Sequence, residues 1–239
     1  MRNCLLILVF GFLISELAVS QTQALPTIDA AKLPHEIRRL ADFEFPGWRI
    51  ESTAQLDINR DKRLDALLTL SELSSKQQAS AATTKANHKL LVVLLKTPAG
   101  AYRRVAVAQK LLRCAACFGV VSGAEGGVAE IKPYKKGFFV EETWGSREIM
   151  TTRFFFSYHA RSKRVRLVAE EIECFDRLTG AGRRIRRNLL AGVELTEAYH
   201  YAEKPHRLIK KPLSEKKIGK VTRYIEDVDY QDYEALIER

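Results

Sequence analysis

The chain runs to 239 residues, of which 46% are apolar and 28% charged. That mixture can bury a core, so wholesale disorder and collagen-like or low-complexity architectures are excluded, and the length suits one domain with or without an appendage. Lys and Arg number 39 against 29 Asp and Glu, a formal charge of +10, which turns attention to anionic partners.

The first element is a targeting signal. Arg2 precedes an apolar run over residues 4–14, and small residues follow at Ala18, Ser20 and Ala24. Charge, greasy stretch and small-residue site in that order predict a secretory signal peptide over residues 1–24, cut after Ser20 or Ala24. The run is shorter than the ~20 residues a bilayer span needs. Cys4 opens the run, whereas a lipid-anchored Cys would close it. The mature chain is therefore expected to be exported, periplasmic or extracellular, with no transmembrane span.

Residues 25–47 read as a short helix and linker. Ile37, Leu40 and Ala41 fall at helical spacing within 33–43, and Pro46-Gly47 ends the pattern. Strands follow at 48–56, 64–70, 88–96, 102–109, 127–132, 137–142, 148–158 and 164–173, short runs rich in Val, Ile, Leu, Phe and Tyr between turn residues. Residues 90–95 are apolar on both faces, as a central strand would be. Residues 98–101 and Lys135-Lys136-Gly137 are hairpin connections. The polar stretch 71–87 reads as an insertion. Closely spaced strands without intervening helices predict a mainly β domain over 48–201, with α+β as the alternative: an antiparallel sheet of about eight strands, a short N-terminal helix and a charged C-terminal appendage. That appendage, 202–239, is basic and then acidic.

One loop carries chemistry. Asp57, Asn59, Asp61 and Asp65 put side-chain oxygens at positions one, three, five and nine, and the backbone carbonyl of Arg63 can complete the ring. Calcium is a hard cation that takes six to eight oxygens. Crowded carboxylates repel unless a cation sits among them. Lys62 stands where calcium loops carry Gly, and a left-handed Lys costs about 1 kcal/mol. The metal-free alternative is a hairpin in which Asp57 and Asn59 accept from their own backbone amides.

After signal cleavage Cys114, Cys117 and Cys174 remain, an odd number for an oxidising compartment. Cys114-Ala115-Ala116-Cys117 has redox spacing, but it follows a strand end and enters a loop, not a helix N-terminus. A structural disulfide is expected, within the motif or from it to Cys174. The five His (35, 88, 159, 200 and 206) supply no second pair for zinc. The Gly-rich stretch 119–127 lacks both the nucleophile elbow and the phosphate-loop lysine. Glu141-Glu142 and Glu170-Glu171 could suggest glycosidase chemistry, yet adjacent strand residues face opposite ways. The densest basic clusters are Arg161, Lys163, Arg164 and Arg166, and Arg183, Arg184, Arg186 and Arg187. They suit an anionic envelope or glycan surface, and export argues against nucleic acid.

The 57–65 unit resembles the D-x-N-x-D-G-x-x-D loops of FG-GAP and VCBS-type, integrin-like repeats. It occurs once. The order of segments 114–119, Gly145-Ser146-Arg147, 154–158 and 188–192 is similar to a group of small exported bacterial proteins of uncharacterised function that carry one such loop. The resemblance implies a compact exported β domain with a calcium loop and supplies no activity. The leading expectation is a non-catalytic binding or structural protein stabilised by Ca²⁺. The alternative is metal-independent binding of anionic envelope or glycan surfaces through the Arg and Lys clusters. An enzyme, such as a glycan hydrolase or thiol oxidoreductase, would rest on the carboxylate pairs or the Cys spacing.

Overall fold

The computed structural model describes residues 28–73, 88–114, 129–202, 207–211 and 213–234. The expected signal segment, most of the polar insertion, Cys117 and the Gly-rich stretch lie outside these residues. The described chain is mainly β. It forms two antiparallel sheets rather than one. The smaller holds β1 (Glu36–Ile37), β2 (Trp48–Leu56), β3 (Asp65–Glu72), β4 (Lys89–Lys96) and β5 (Tyr102–Ala108), in the order β1-β5-β4-β3-β2. The larger holds β6 (Glu130–Tyr134), β7 (Gly137–Gly145), β8 (Glu148–His159), β9 (Arg164–Asp176), β10 (Ala181–Asn188), β11 (Val193–Ala202), β12 (Arg207–Lys210), β13 (Ser214–Lys217) and β14 (Arg223–Tyr224). Its path is β12-β11-β10-β9-β8-β7-β6, with β13 on β11 and β14 on β9.

Turn chemistry sets the registers. Between β4 and β5 the Thr97 amide donates to the Ala101 carbonyl at 2.8 Å. Lys135-Lys136 closes the β6–β7 hairpin, where Tyr134 pairs with Gly137. Gly145 ends β7 at φ +108°, and a Cβ there would stand 2.0 Å from the Glu148 carbonyl oxygen.

Two cores result. Leu67, Leu91, Val93 and Leu95 of the small sheet pack against Phe138, Val140, Trp144, Phe154, Phe156 and Leu167 of the large one. Leu68, Leu70, Leu90, Val92 and Leu94 face the other way, against Leu33, Ile37, Phe43 and Trp48. The small sheet is thus covered on both sides, with β4 at its centre as its apolar run predicts.

Two expectations change. The helix over 33–43 is replaced by 3₁₀ turns at Ala30–Lys32 and Leu40–Phe43 flanking β1. The His35 carbonyl accepts from the Arg104 amide at 2.8 Å, so backbone that a helix would use internally is committed to β5. The C-terminal region is no appendage either. Ile225, Val228 and Tyr233 lie in the core between the sheets, and the Tyr230 amide donates to the Lys110 carbonyl at 2.8 Å.

Candidate functional site

The 57–65 loop joins β2 to β3. Asp57 Oδ1 accepts from the amides of Arg60 at 2.7 Å and Asp61 at 3.1 Å, and Oδ2 from Lys62 at 2.9 Å. Arg60 and Lys62 are both left-handed, at φ 67° and 66°. The chain therefore accepts with Lys62 the conformation that favours glycine, and three charge-assisted bonds to one carboxylate offset that cost. Asn59 Nδ2 donates to Asp61 Oδ2 at 2.8 Å, and the Arg63 guanidinium pairs with the same oxygen. Asp65 is fully buried. It accepts from the Ile58 amide at 2.9 Å and the Lys96 amide at 2.8 Å.

Burial pushes the Asp61 carboxyl up, but the Arg63 amide, the Asn59 side chain and the Arg63 charge together hold it below its ordinary value. Asp65 is shifted upward, because its burial outweighs the amides it accepts from. The donor set is all oxygen, as a hard cation requires. Yet Asp57, Asp61 and Asp65 are engaged by N–H groups, and Asn59 Oδ1 accepts from the Asp61 amide at 3.1 Å. Among the described residues no three His, Cys, Asp or Glu side chains converge as a metal site.

The basic clusters do not converge. Arg164 lies 3.5 Å over the Tyr224 ring and 3.5 Å from Glu226. Arg166 donates to Thr222 Oγ1 at 3.0 Å. Arg161 and Lys163 occupy the exposed β8–β9 turn. On β10 the guanidiniums alternate between faces. Arg187 turns inward, bonding Glu170 at 3.0 Å and Glu194 at 2.7 Å. Arg184 faces outward, 2.7 Å from Glu173. Arg183 and Arg186 are exposed and make no ion pair with a described residue. Strand pleat splits the β10 cluster between the two faces, and neighbouring Glu residues pair with Arg184 and Arg187.

The cysteines separate. Cys174, on β9, is a free thiol, half-buried, and its burial raises its pKa. A bridge from the Cys114–Cys117 motif to Cys174 is therefore not formed, since β9 pairing sets Cys174 beside Met150 and Arg183. Cys114 is buried. The Glu pairs split as strand geometry requires. Glu141 joins Arg153 on the outer face, whereas Glu142 is buried and accepts from the Arg113 amide at 3.0 Å. Burial raises the Glu142 carboxyl to about 7, against the Arg113 amide and charge. At 1% exposure it has no contact with solvent-borne substrate.

What the sequence reading does not identify is a groove on the outer face of the large sheet. Cross-strand register lines up Phe139, Phe155, Ala169, Asn188 and Val193 in one row, and Glu141, Arg153, Glu171, Arg186 and Leu195 in the next. Tyr134, 38% exposed, leans onto Phe155 with ring centroids 4.7 Å apart. Arg153 bridges Glu141 and Glu171. A cavity of about 570 Å³ runs along these rows, walled by Tyr134 and Phe155 at one end and by Arg186, Asn188, Leu195 and Glu215 toward the other. The visible signals for it are the Lys135-Lys136 turn, which sets Tyr134 against β7, and the Gly145-Ser146-Arg147 turn, which pairs Phe139 with Phe155.

Comparison with family models, curated protein sequences and solved structures returns no match to this chain. No helix among the described residues is long and apolar enough to cross a membrane.

Proposed function

We propose that this chain is an exported, non-catalytic binding protein whose outer sheet face takes a glycan chain without a metal. The carrying observation is the groove. It offers the exposed Tyr134 ring against Phe155 and, beyond it, a guanidinium on Arg186, an amide on Asn188 and a carboxylate on Glu215. An aromatic face covers the apolar side of a sugar ring, and planar polar groups bond its hydroxyls. From β8 to β13 is four strand spacings, about 19 Å at 4.8 Å each. That length favours an extended chain over a single ring, and the volume lies within the range of real ligand sites. Export rests on residues 1–24. A Cys114–Cys117 disulfide belongs to the same proposal, with Cys174 left as the odd thiol.

The test is retention on immobilised polysaccharides, neutral and uronic-acid-bearing, across a salt series. Tyr134→Ala and Arg186→Ala should each lose at least tenfold in affinity with an unchanged melting temperature. Equal retention of all three proteins would remove the groove reading.

A second reading keeps an ion at the 57–65 loop on the strength of its all-oxygen donor set, although the Asp57 carboxylate accepts from three amides as the metal-free turn would have it. Ca²⁺ would be held by Asp57, Asn59, Asp61 and Asp65 with the Arg63 carbonyl, in keeping with the FG-GAP-like pattern. The Arg63 guanidinium and the Asn59 amide would first have to leave Asp61. Calorimetric titration decides it: no heat at millimolar calcium removes the ion from the account.

A further inference from the structure

A second cavity lies on the opposite face of the large sheet, away from the groove. It measures about 260 Å³ and is lined by Met150, Ile172, Cys174 and Ile185, with Glu148, Asp176, Ala181, Gly182 and Arg183 around them. Register explains why the cavity exists. Met150, Cys174 and Arg183 form one cross-strand row, and Glu148 pairs with Asp176 in the row beyond. Ala181, the position where β10 reaches that outer row, has too small a side chain to fill the space. Gly182 contributes nothing to the space, since a Cβ there would point to the opposite face, 2.2 Å from the Tyr199 ring.

The rim carries the carboxylates of Glu148 and Asp176 and the guanidinium of Arg183, so charge is distributed around it rather than summed to one sign. Asp176 is bonded by Arg147 at 3.0 Å. Arg183 is exposed and makes no ion pair with a described residue, unlike Arg184 and Arg187 on the same strand. A guanidinium presents paired donors that match a carboxylate. Size narrows the ligand. A 150 Å³ apolar cavity suffices for benzene, and drug-sized ligands use about 300 Å³ or more. This cavity falls between.

We propose that the cavity binds a small amphipathic carboxylate, a single ring or an acyl chain of about eight carbons, larger than the benzene that fills ~150 Å³ and smaller than a drug-sized ligand, with its carboxylate on Arg183 and its apolar part against Met150, Ile172 and Ile185. Cys174 lies in the wall and reports occupancy. The site is independent of the glycan groove.

The experiment uses the mature chain and follows modification of Cys174 by N-ethylmaleimide, read by peptide mass spectrometry. Octanoate and 3-phenylpropionate at millimolar concentration should slow labelling at least threefold. Octan-1-ol and octylamine should protect less. Arg183→Gln, an exposed change that leaves the fold intact, should reduce octanoate protection to the level of octan-1-ol. Ala181→Trp should slow labelling without any ligand by filling the space. Arg186→Ala should leave octanoate protection unchanged, which separates failure of this site from failure of the groove. Unslowed labelling with both carboxylates overturns the proposal. So does equal protection by octylamine, because Glu148 and not Arg183 would then select the ligand.

Discussion

The two sheets solve the same burial problem differently. The small sheet is covered on both faces, and residues 66–70 of β3 and 90–95 of β4 are buried without a break. The large sheet is covered on one face only, and β7 alternates buried and half-buried residues along its whole length. Its bare face is finished with cross-strand ionic pairs and an aromatic row rather than with a second layer. The central strands β3 and β4 have no surface to offer a ligand, and the proposed groove lies on the large sheet. A doubly buried strand must be apolar throughout, whereas a half-bared strand leaves every second position free for recognition.

The sharpest way to break this comparison is to cut both layers alike. Leu91→Ala, in the core between the sheets, should cost about 3 kcal/mol, as buried Leu truncations do. Phe155→Ala, on the half-exposed outer face, should cost about 1 kcal/mol, with part of its ring area already in water. Urea denaturation gives both, and equal losses would erase the distinction. The buried Glu142 supplies the next largest effect. Its folded-state pKa, about 7, lies above the ordinary 4.5, so the folded state binds more protons between those values. The associated stability is fully present below pH 4.5 and is lost as pH rises to 7, about 3 kcal/mol in all. Glu142→Gln should flatten that slope in urea melts at pH 5 and 7.5.

Smaller effects follow. Arg153→Ala leaves Glu141 and Glu171 without their bridge, and should lower stability by about 1 kcal/mol at low salt and less at high salt. Lys62→Gly relieves a left-handed lysine and should raise stability by up to about 1 kcal/mol. A loss there would mean that the Lys62 side chain contributes more than its backbone strain costs.

These contrasts also explain what the sequence makes legible. Unbroken apolar runs mark β3 and β4, and alternation marks β7 to β9. β10 and β13 escape because charged residues fill both faces of their pleat. Arg183, Arg184, Arg186 and Arg187 read as one basic patch, though the strand sends them to opposite faces and Glu170, Glu173 and Glu194 claim two of them. Leu33, Ile37 and Leu40 mimic a helix because each contacts the small sheet at intervals close to a helical turn. Tyr230 and Tyr233 hide among acidic residues, although both are buried. The Asp57–Asp65 oxygens are legible as a cluster, but their N–H partners arise from the folded loop and from Lys96 on β4.

The most direct measurement is the affinity of the mature protein for the best-retained polysaccharide, alongside Tyr134→Ala and Arg186→Ala and with Arg183→Gln as the control on the opposite face. The outer-face account predicts that the first two weaken binding at least tenfold and that the third does not. Loss in Arg183→Gln alone would place recognition on the other side of the sheet and contradict it.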